Sequence, residues 1–249
     1  MARARPTLAE DHTPERIRQR LDAPGSARYL GDFIYGSIDG VVTTFAIVAG
    51  VAGADMSVAV VAVLGVANLV ADGLSMAASN FLGTRADAEL HERIRRSESA
   101  QIEAFPEGER EEVREIFRRK GLAGEALDGV VEAITADRDR WIETMIVDEF
   151  GLSKATRSPV LAGSATFAAF LVVGAVPLLP FLLGSGLGWI DRPFLWSSVV
   201  TGAAFLLVGA AKAAVVEASW WRSSLETVAI GGGAAAVAYL LGDVLGRLV

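Results

Sequence analysis

Apolar residues in this chain are gathered into long unbroken stretches, except in one region where they recur only at helical spacing. Five runs, 33–53, 58–82, 160–183, 194–216 and about 225–246, carry the bulk of them. Each has the roughly 20-residue length that a helix needs to cross the hydrocarbon core of a bilayer. A soluble domain would instead spread its apolar residues at a helix or strand period. The pattern predicts an all-α integral membrane protein with five transmembrane helices.

The exceptional region is 83–157, between the second and third runs. Leu90, Ile94, Ile102, Val113, Ile116, Phe117, Leu127, Val130, Val131, Ile134, Trp141, Ile142 and Met145 recur there at helical intervals, broken by Pro106, Gly121 and Gly124. Amphipathic helices are expected over about 83–104, 107–119, 123–136 and 138–150, the second transmembrane helix running straight on into the first of them. The organisation read from the pattern is an arm over 1–30, transmembrane helices 1 and 2 over 31–82, an acidic helical domain over 83–157, and transmembrane helices 3 to 5 over 158–249.

Basic residues orient these spans, because Lys and Arg concentrate in cytoplasmic loops. The first 30 residues hold six arginines and no apolar run, so they read as a cytoplasmic lead-in rather than a signal peptide. Ile17, Leu21, Tyr29 and Leu30 offer it interface contacts; a plain polar tail fits these residues nearly as well. The turn at Ala54, Asp55 and Met56 has no basic residue and is expected outside. Region 83–157 holds thirteen Lys and Arg and is expected inside. The 184–193 link, with Arg192 alone, falls outside, and the link flanked by Lys212 and Arg222 falls inside. The N-terminus is then cytoplasmic and the C-terminus external. Trp189 and Trp196 on one side, with Trp220 and Trp221 on the other, fit two aromatic belts.

Composition adds a mean hydropathy of +0.40, 26 glycines and no cysteine, which excludes disulfides and thiolate metal sites. The net charge of −7 is distributed unevenly: 83–157 holds eighteen of the thirty carboxylates. No nucleic-acid partner is expected.

Two carboxylates stand inside apolar runs, Asp39 in the first and Asp72 in the second. A charge at membrane depth costs roughly 2.5–3.5 kcal/mol on insertion scales and usually faces a bundle interior or an aqueous path. Asn68, Asp72, Met76 and Asn80 fall at i, i+4, i+8 and i+12 and share one helix face. Thr43 lies one turn after Asp39. Oxygen donors suit hard divalent cations, and a thioether admits first-row transition metals. Helix packing through small and polar residues explains Ser75, Ser79 and the glycines well, but explains two aspartates poorly.

In the acidic region Glu109 and Glu112 are spaced i, i+3, with Glu98 upstream and Met145 and Glu149 at i, i+4 downstream. Carboxylates on separate helices of a bundle can converge on metal. The residues alone fit a solvated face better, since EGEREEVRE also reads as ion-paired surface with Glu111 and Glu115 beside Arg110 and Arg114. Other signals are weak. GSGLG at 184–188 lacks the strand–helix context of a nucleotide loop, and Gly231, Gly232 and Gly233 read as a close-packing or dimer face. No catalytic grouping of Ser and His is present, and no enzymatic activity or prosthetic group is expected.

The stretches DFIYGSIDGVVTTFAIVAGVAGA (32–54), NLVADGLSMAASNFLGTRAD (68–87), PEGEREEVREIFRRKGL (106–122), DRDRWIETMIVDEFGL (137–152) and TFAAFLVVGAVPLLPF (166–181) together resemble the vacuolar iron transporter family, in order and over most of residues 30–220. The resemblance implies a homodimer of five-helix subunits that exports ferrous iron, and other divalent metals such as manganese, zinc or cobalt, in exchange for protons. It implies metal roles for Asp39 and Met76 within the membrane, the first helix lining the path at the dimer interface. It further implies metal capture by Glu98, Glu109, Glu112, Met145 and Glu149 in the cytoplasmic domain. Two positions depart from the pattern: Gln101 stands where a further glutamate is expected, and Ile146 where a second methionine is expected. Glu103 is the nearby carboxylate able to replace the former after a small shift. Thr43, Asn68, Asp72 and Asn80 complete the expected transport path. A membrane-anchored iron sensor or buffer is the alternative. The Ala, Val, Gly and Arg bias points to a bacterial inner membrane.

Overall fold

A computed structural model describes residues 12–22, 29–153, 157–187 and 191–248; within the arm, residues 1–11 and 23–28 lie outside these, as do Lys154–Thr156 and Trp189. The described residues are helical apart from short links. A short helix, α1 (Pro14–Asp22), opens with a proline and Glu15 in its first turn, and Thr13 Oγ1 accepts the Arg16 N–H at 3.4 Å. Of its apolar positions, Leu21 is exposed.

The remaining helices are α2 (Leu30–Gly53), α3 (Val58–Ala104), α4 (Pro106–Arg119), α5 (Gly124–Thr135), α6 (Arg138–Asp148), α7 (Pro159–Gly174), α8 (Leu179–Leu187), α9 (Pro193–Val215) and α10 (Trp220–Gly246). Five segments are long and apolar enough to cross a membrane: Leu30–Gly53, Val58–Ala104, Pro159–Gly184, Pro193–Val215 and Trp220–Gly246. Helix α3 has 47 residues. At 1.5 Å per residue that is about 70 Å, more than twice the hydrocarbon thickness. Only its first part, 58–82, is apolar, and residues 83–104 are its polar remainder.

The third apolar run differs from the continuous helix its composition predicts. It breaks after Gly174 into a single tight turn, Val176–Leu178, before resuming as α8. Two prolines explain this, since neither Pro177 nor Pro180 can donate a backbone hydrogen bond. The carbonyl of Pro177 is satisfied instead by the Ser197 hydroxyl at 2.7 Å. Gly174 itself lies against the backbone of Gly40, where a Cβ would meet the Gly40 oxygen at 2.9 Å.

The chain divides into two compact units, one of residues 1–77 with 164–249 and one of 78–163. In the first, α2 is the central element and packs most extensively against α10, then α9. Its core holds Val41, Val48, Phe170, Leu178, Phe181 and Phe205. Helices α2 and α10 cross with almost no side chain between them: a Cβ on Gly242 would strike the Gly50 carbonyl. Gly231 packs under the Phe205 ring, whereas Gly232 and Gly233 face open space, so the glycine triplet is only in part a packing surface. Leu64, Leu74, Leu207, Ile230 and Leu240 are exposed, as residues facing lipid would be.

The second unit has its own core of Ile94, Ile102, Val113, Leu127, Val131, Trp141, Ile142, Met145 and Ile146. Its helices lie where the 3.6-residue pattern places them, within two residues at each end. Asp137 caps α6 by accepting the Arg140 N–H at 2.8 Å. Gly121, with φ of +95°, turns the chain after α4 in a conformation other residues rarely adopt.

Candidate metal sites

Helix α2 buries Gly36, Ser37, Gly40 and Thr44 on one face and leaves Asp39, Thr43 and Ile47 half-buried on another. Helix α3 buries Val61, Gly65, Leu69 and Gly73, and its polar stripe of Asn68, Asp72 and Met76 lies half-buried beside them. Both aspartates are half-buried. Neither forms an ion pair among the described residues. The Thr43 hydroxyl donates to the Asp39 carbonyl at 2.9 Å, which leaves its oxygen lone pairs available. The Asn68 side-chain amide nitrogen is buried without a hydrogen-bond partner. Met76 packs against the core of the first unit. Asn80 differs: its nitrogen donates to the Ala162 carbonyl at 3.2 Å and its oxygen accepts from Thr84 at 3.3 Å, so both ends hold structure together.

The second group belongs entirely to unit 78–163. Glu98 is 1% exposed and Glu109 is 4% exposed, and in each the Oε2 atom is buried with no hydrogen-bond partner. Carboxylates so deeply buried are rare unless paired. Glu98 Oε1 accepts one bond, from Gln101 Nε2 at 3.1 Å. Burial pushes the Glu98 carboxyl up to about 7, reinforced by the charges of Glu109, Glu149 and Glu112 in that order. Burial also raises Glu109, with Glu112 and Glu149 adding to it. Glu149 is raised by partial burial and then by Glu112. Four carboxylates from α3, α4 and the end of α6 thus share one electrostatic field. Met145 is fully buried one helical turn before Glu149. Among the described residues, no three carboxylate or imidazole groups yet stand together as a finished ligand set.

The other acids of α4 point elsewhere. Glu111 pairs with Arg114 at 2.8 Å and with Arg118 at 3.4 Å, and Glu115 pairs with Arg118 and Arg119, all exposed. These arginines hold both carboxyls below their ordinary range. One helix therefore carries the ion-paired Glu111 and Glu115 beside a buried Glu109 and an exposed Glu112 that form no ion pair among the described residues. Glu103 is exposed and paired with Arg138 at 3.4 Å, so it does not take the place left by Gln101. Ile146 lies in the apolar core.

Sequence reasoning did not anticipate the frame around these acids. Arg110 lies over the Trp141 ring at 5.3 Å and donates to Thr135 Oγ1 at 2.6 Å, tying α4 to α5 and α6. Lys120 pairs with Asp148 at 2.6 Å. Residues far apart in sequence make these contacts, and no local spacing announces them.

The sequence profile described as the VIT family matches residues 30–243. Vacuolar iron transporter 2 of Oryza sativa subsp. japonica is 33% identical over 233 residues, covering 93% of this chain and 91% of that one. Vacuolar iron transporter 1 of Arabidopsis thaliana is 30% identical over 240 residues, with 96% and 92% covered. A vacuolar iron transporter of Toxoplasma gondii is 30% identical over 236 residues, with 90% and 76% covered. With five membrane-length helices and a profile match over most of its length, this integral membrane protein belongs to the VIT family.

Proposed function

We propose that the protein is a transporter, not an enzyme, that carries ferrous iron out of the cytoplasm in exchange for protons. The observation that carries this reading is that Asp39 and Asp72 stand half-buried on two membrane-length helices, with no ion pair to either among the described residues. Two carboxylates in an apolar setting have a use for a cation that passes between them, and a proton serves when the metal has left. Mixed oxygen and thioether donors at Asp39, Asp72, Thr43, Asn68 and Met76 suit ferrous iron and admit manganese, zinc or cobalt.

In this reading unit 78–163 is a cytoplasmic capture domain. The buried, unpartnered oxygens of Glu98 and Glu109 are its strongest support, because a divalent ion would satisfy both and relieve their mutual repulsion. Glu112, Glu149 and the thioether of Met145 complete the donor set after small side-chain movements. The half-buried face of α2 bearing Asp39 is completed by a second copy in a homodimer. The basic-residue distribution supports a cytoplasmic N-terminus and an external C-terminus, and the Ala, Val, Gly and Arg bias supports a bacterial inner membrane.

Metal flux into proteoliposomes with a trapped ferrous-iron indicator and an imposed pH gradient tests this. Gradient-dependent flux that disappears in Asp39→Asn is the expected result. Absence of flux from the wild type, with tight iron binding retained, would instead favour a membrane-anchored sensor or buffer.

A further inference from the structure

The turn between α9 and α10 borders an open surface cavity of about 430 Å³ lined by Lys212, Ser219, Arg222, Ser223 and Glu226 among others. None of these residues belongs to either carboxylate group. Helix α10 begins here with Ser219 as its N-cap, yet the Ser219 side chain caps no backbone amide. The first hydrogen bond of the turn runs from Ser223 N to Ser219 O at 3.1 Å, so the amides of Trp220, Trp221 and Arg222 precede it. A helix start of this kind offers unsatisfied N–H groups and the positive end of the helix dipole.

A second observation is independent of the helix start. Ser223, which lines the same cavity, is 6% exposed and its hydroxyl is buried with no hydrogen-bond partner. The cations add to it. The Arg222 guanidinium lies over the Trp221 ring at 5.1 Å and makes no ion pair among the described residues. Lys212 is held at 3.0 Å by Glu226, which is the one acid lining the cavity among the described residues; Glu217 lies in the adjacent turn. Trp220, Trp221 and Leu225, next to Arg222 in the first turns of α10, are exposed, the composition of a membrane–water boundary.

We propose that this cavity binds a phosphate-bearing anion, supplied by the headgroup of an anionic phospholipid. Arg222 and the first amides of α10 hold the phosphate oxygens. The Ser223 hydroxyl donates to them, and Lys212 exchanges Glu226 for the phosphate. The exposed tryptophans and Leu225 favour a lipid over a free ion, because they continue the site into apolar surroundings. This inference requires only that the chain spans a membrane, and stands apart from the transport reading.

The test is thermal unfolding of the full chain in detergent, titrated with phosphatidylglycerol, phosphatidylcholine or inorganic phosphate. Phosphatidylglycerol should raise the midpoint by several degrees over phosphatidylcholine. Arg222→Gln and Ser223→Ala should each remove most of that difference, and Arg222→Lys should restore part of it. Each variant should keep the wild-type midpoint in phosphatidylcholine, which reports folding. An equal response to both lipids in the wild type would overturn the site. An Arg222-dependent rise given equally by inorganic phosphate would overturn the lipid as its source.

Discussion

Gln101 donates its side-chain amide to Glu98 Oε1 at 3.1 Å, three residues back on the same helix, while the other oxygen of that buried carboxylate has no partner. A neutral amide steadies the Glu98 carboxylate without cancelling its charge. The cost of that charge is therefore pH-dependent.

Raising a carboxyl from its ordinary value of 4.5 to about 7 makes the folded state bind the proton more tightly than the unfolded state. Unit 78–163 without metal is then most stable at low pH, as far as Glu98 governs it, and loses that advantage between about 4.5 and 7. A shift of this size corresponds to about 3 kcal/mol. Glu98→Gln should raise the unfolding midpoint of the metal-free protein at pH 8 and change it little at pH 4.5. A midpoint lowered equally at both would show that the carboxylate serves packing rather than awaiting a cation.

The two faces of α4 make opposite predictions for metal binding. Glu109→Gln with Glu112→Gln should weaken ferrous iron or manganese binding by calorimetry at least tenfold, since each removes a charged donor worth about 1.5–3 kcal/mol. Glu111→Gln with Glu115→Gln should leave affinity within about twofold, because those acids already face Arg114, Arg118 and Arg119. Equal losses in both pairs would mean that bulk negative charge, not a site, attracts the metal.

At the crossing of α2 and α10 a Cβ on Gly242 would collide with the Gly50 carbonyl, whereas Gly232 has nothing within 4 Å. Gly242→Ala should destabilise the protein in detergent by about 1–3 kcal/mol through overpacking. Gly232→Ala should be neutral or stabilise by up to about 1 kcal/mol through helix propensity. Comparing the two unfolding midpoints separates a packing glycine from an incidental one.

The helices were legible because membrane-length apolar runs and 3.6-residue periodicity are local signals. The break after Gly174 was less so: Pro177 and Pro180 mark it, but the run around them is as apolar as its neighbours. Which acids are buried was not legible within EGEREEVRE. Glu109 and Glu111 are two residues apart, and only the packing of Val113 into the core turns one inward and the other toward Arg114. The role of Asn80 was hidden for the same reason, because its partner Ala162 lies 82 residues away. Family resemblance singled out Glu98, Glu109, Glu112, Met145 and Glu149 as candidates where spacing alone favoured a solvated face.

Asp39 and Asp72 are each half-buried in an apolar helix. If both ligate the passing metal, Asp39→Asn and Asp72→Asn should each lower iron flux, and the double variant should be little worse than the more damaging single one, since the residues act on one ion. If Asp72 only balances Asp39, its replacement should leave flux nearly intact and shift its dependence on the pH gradient. Initial rates for the three variants, at matched protein content in proteoliposomes, distinguish these. Multiplying effects in the double variant would place the two aspartates at separate steps of the path.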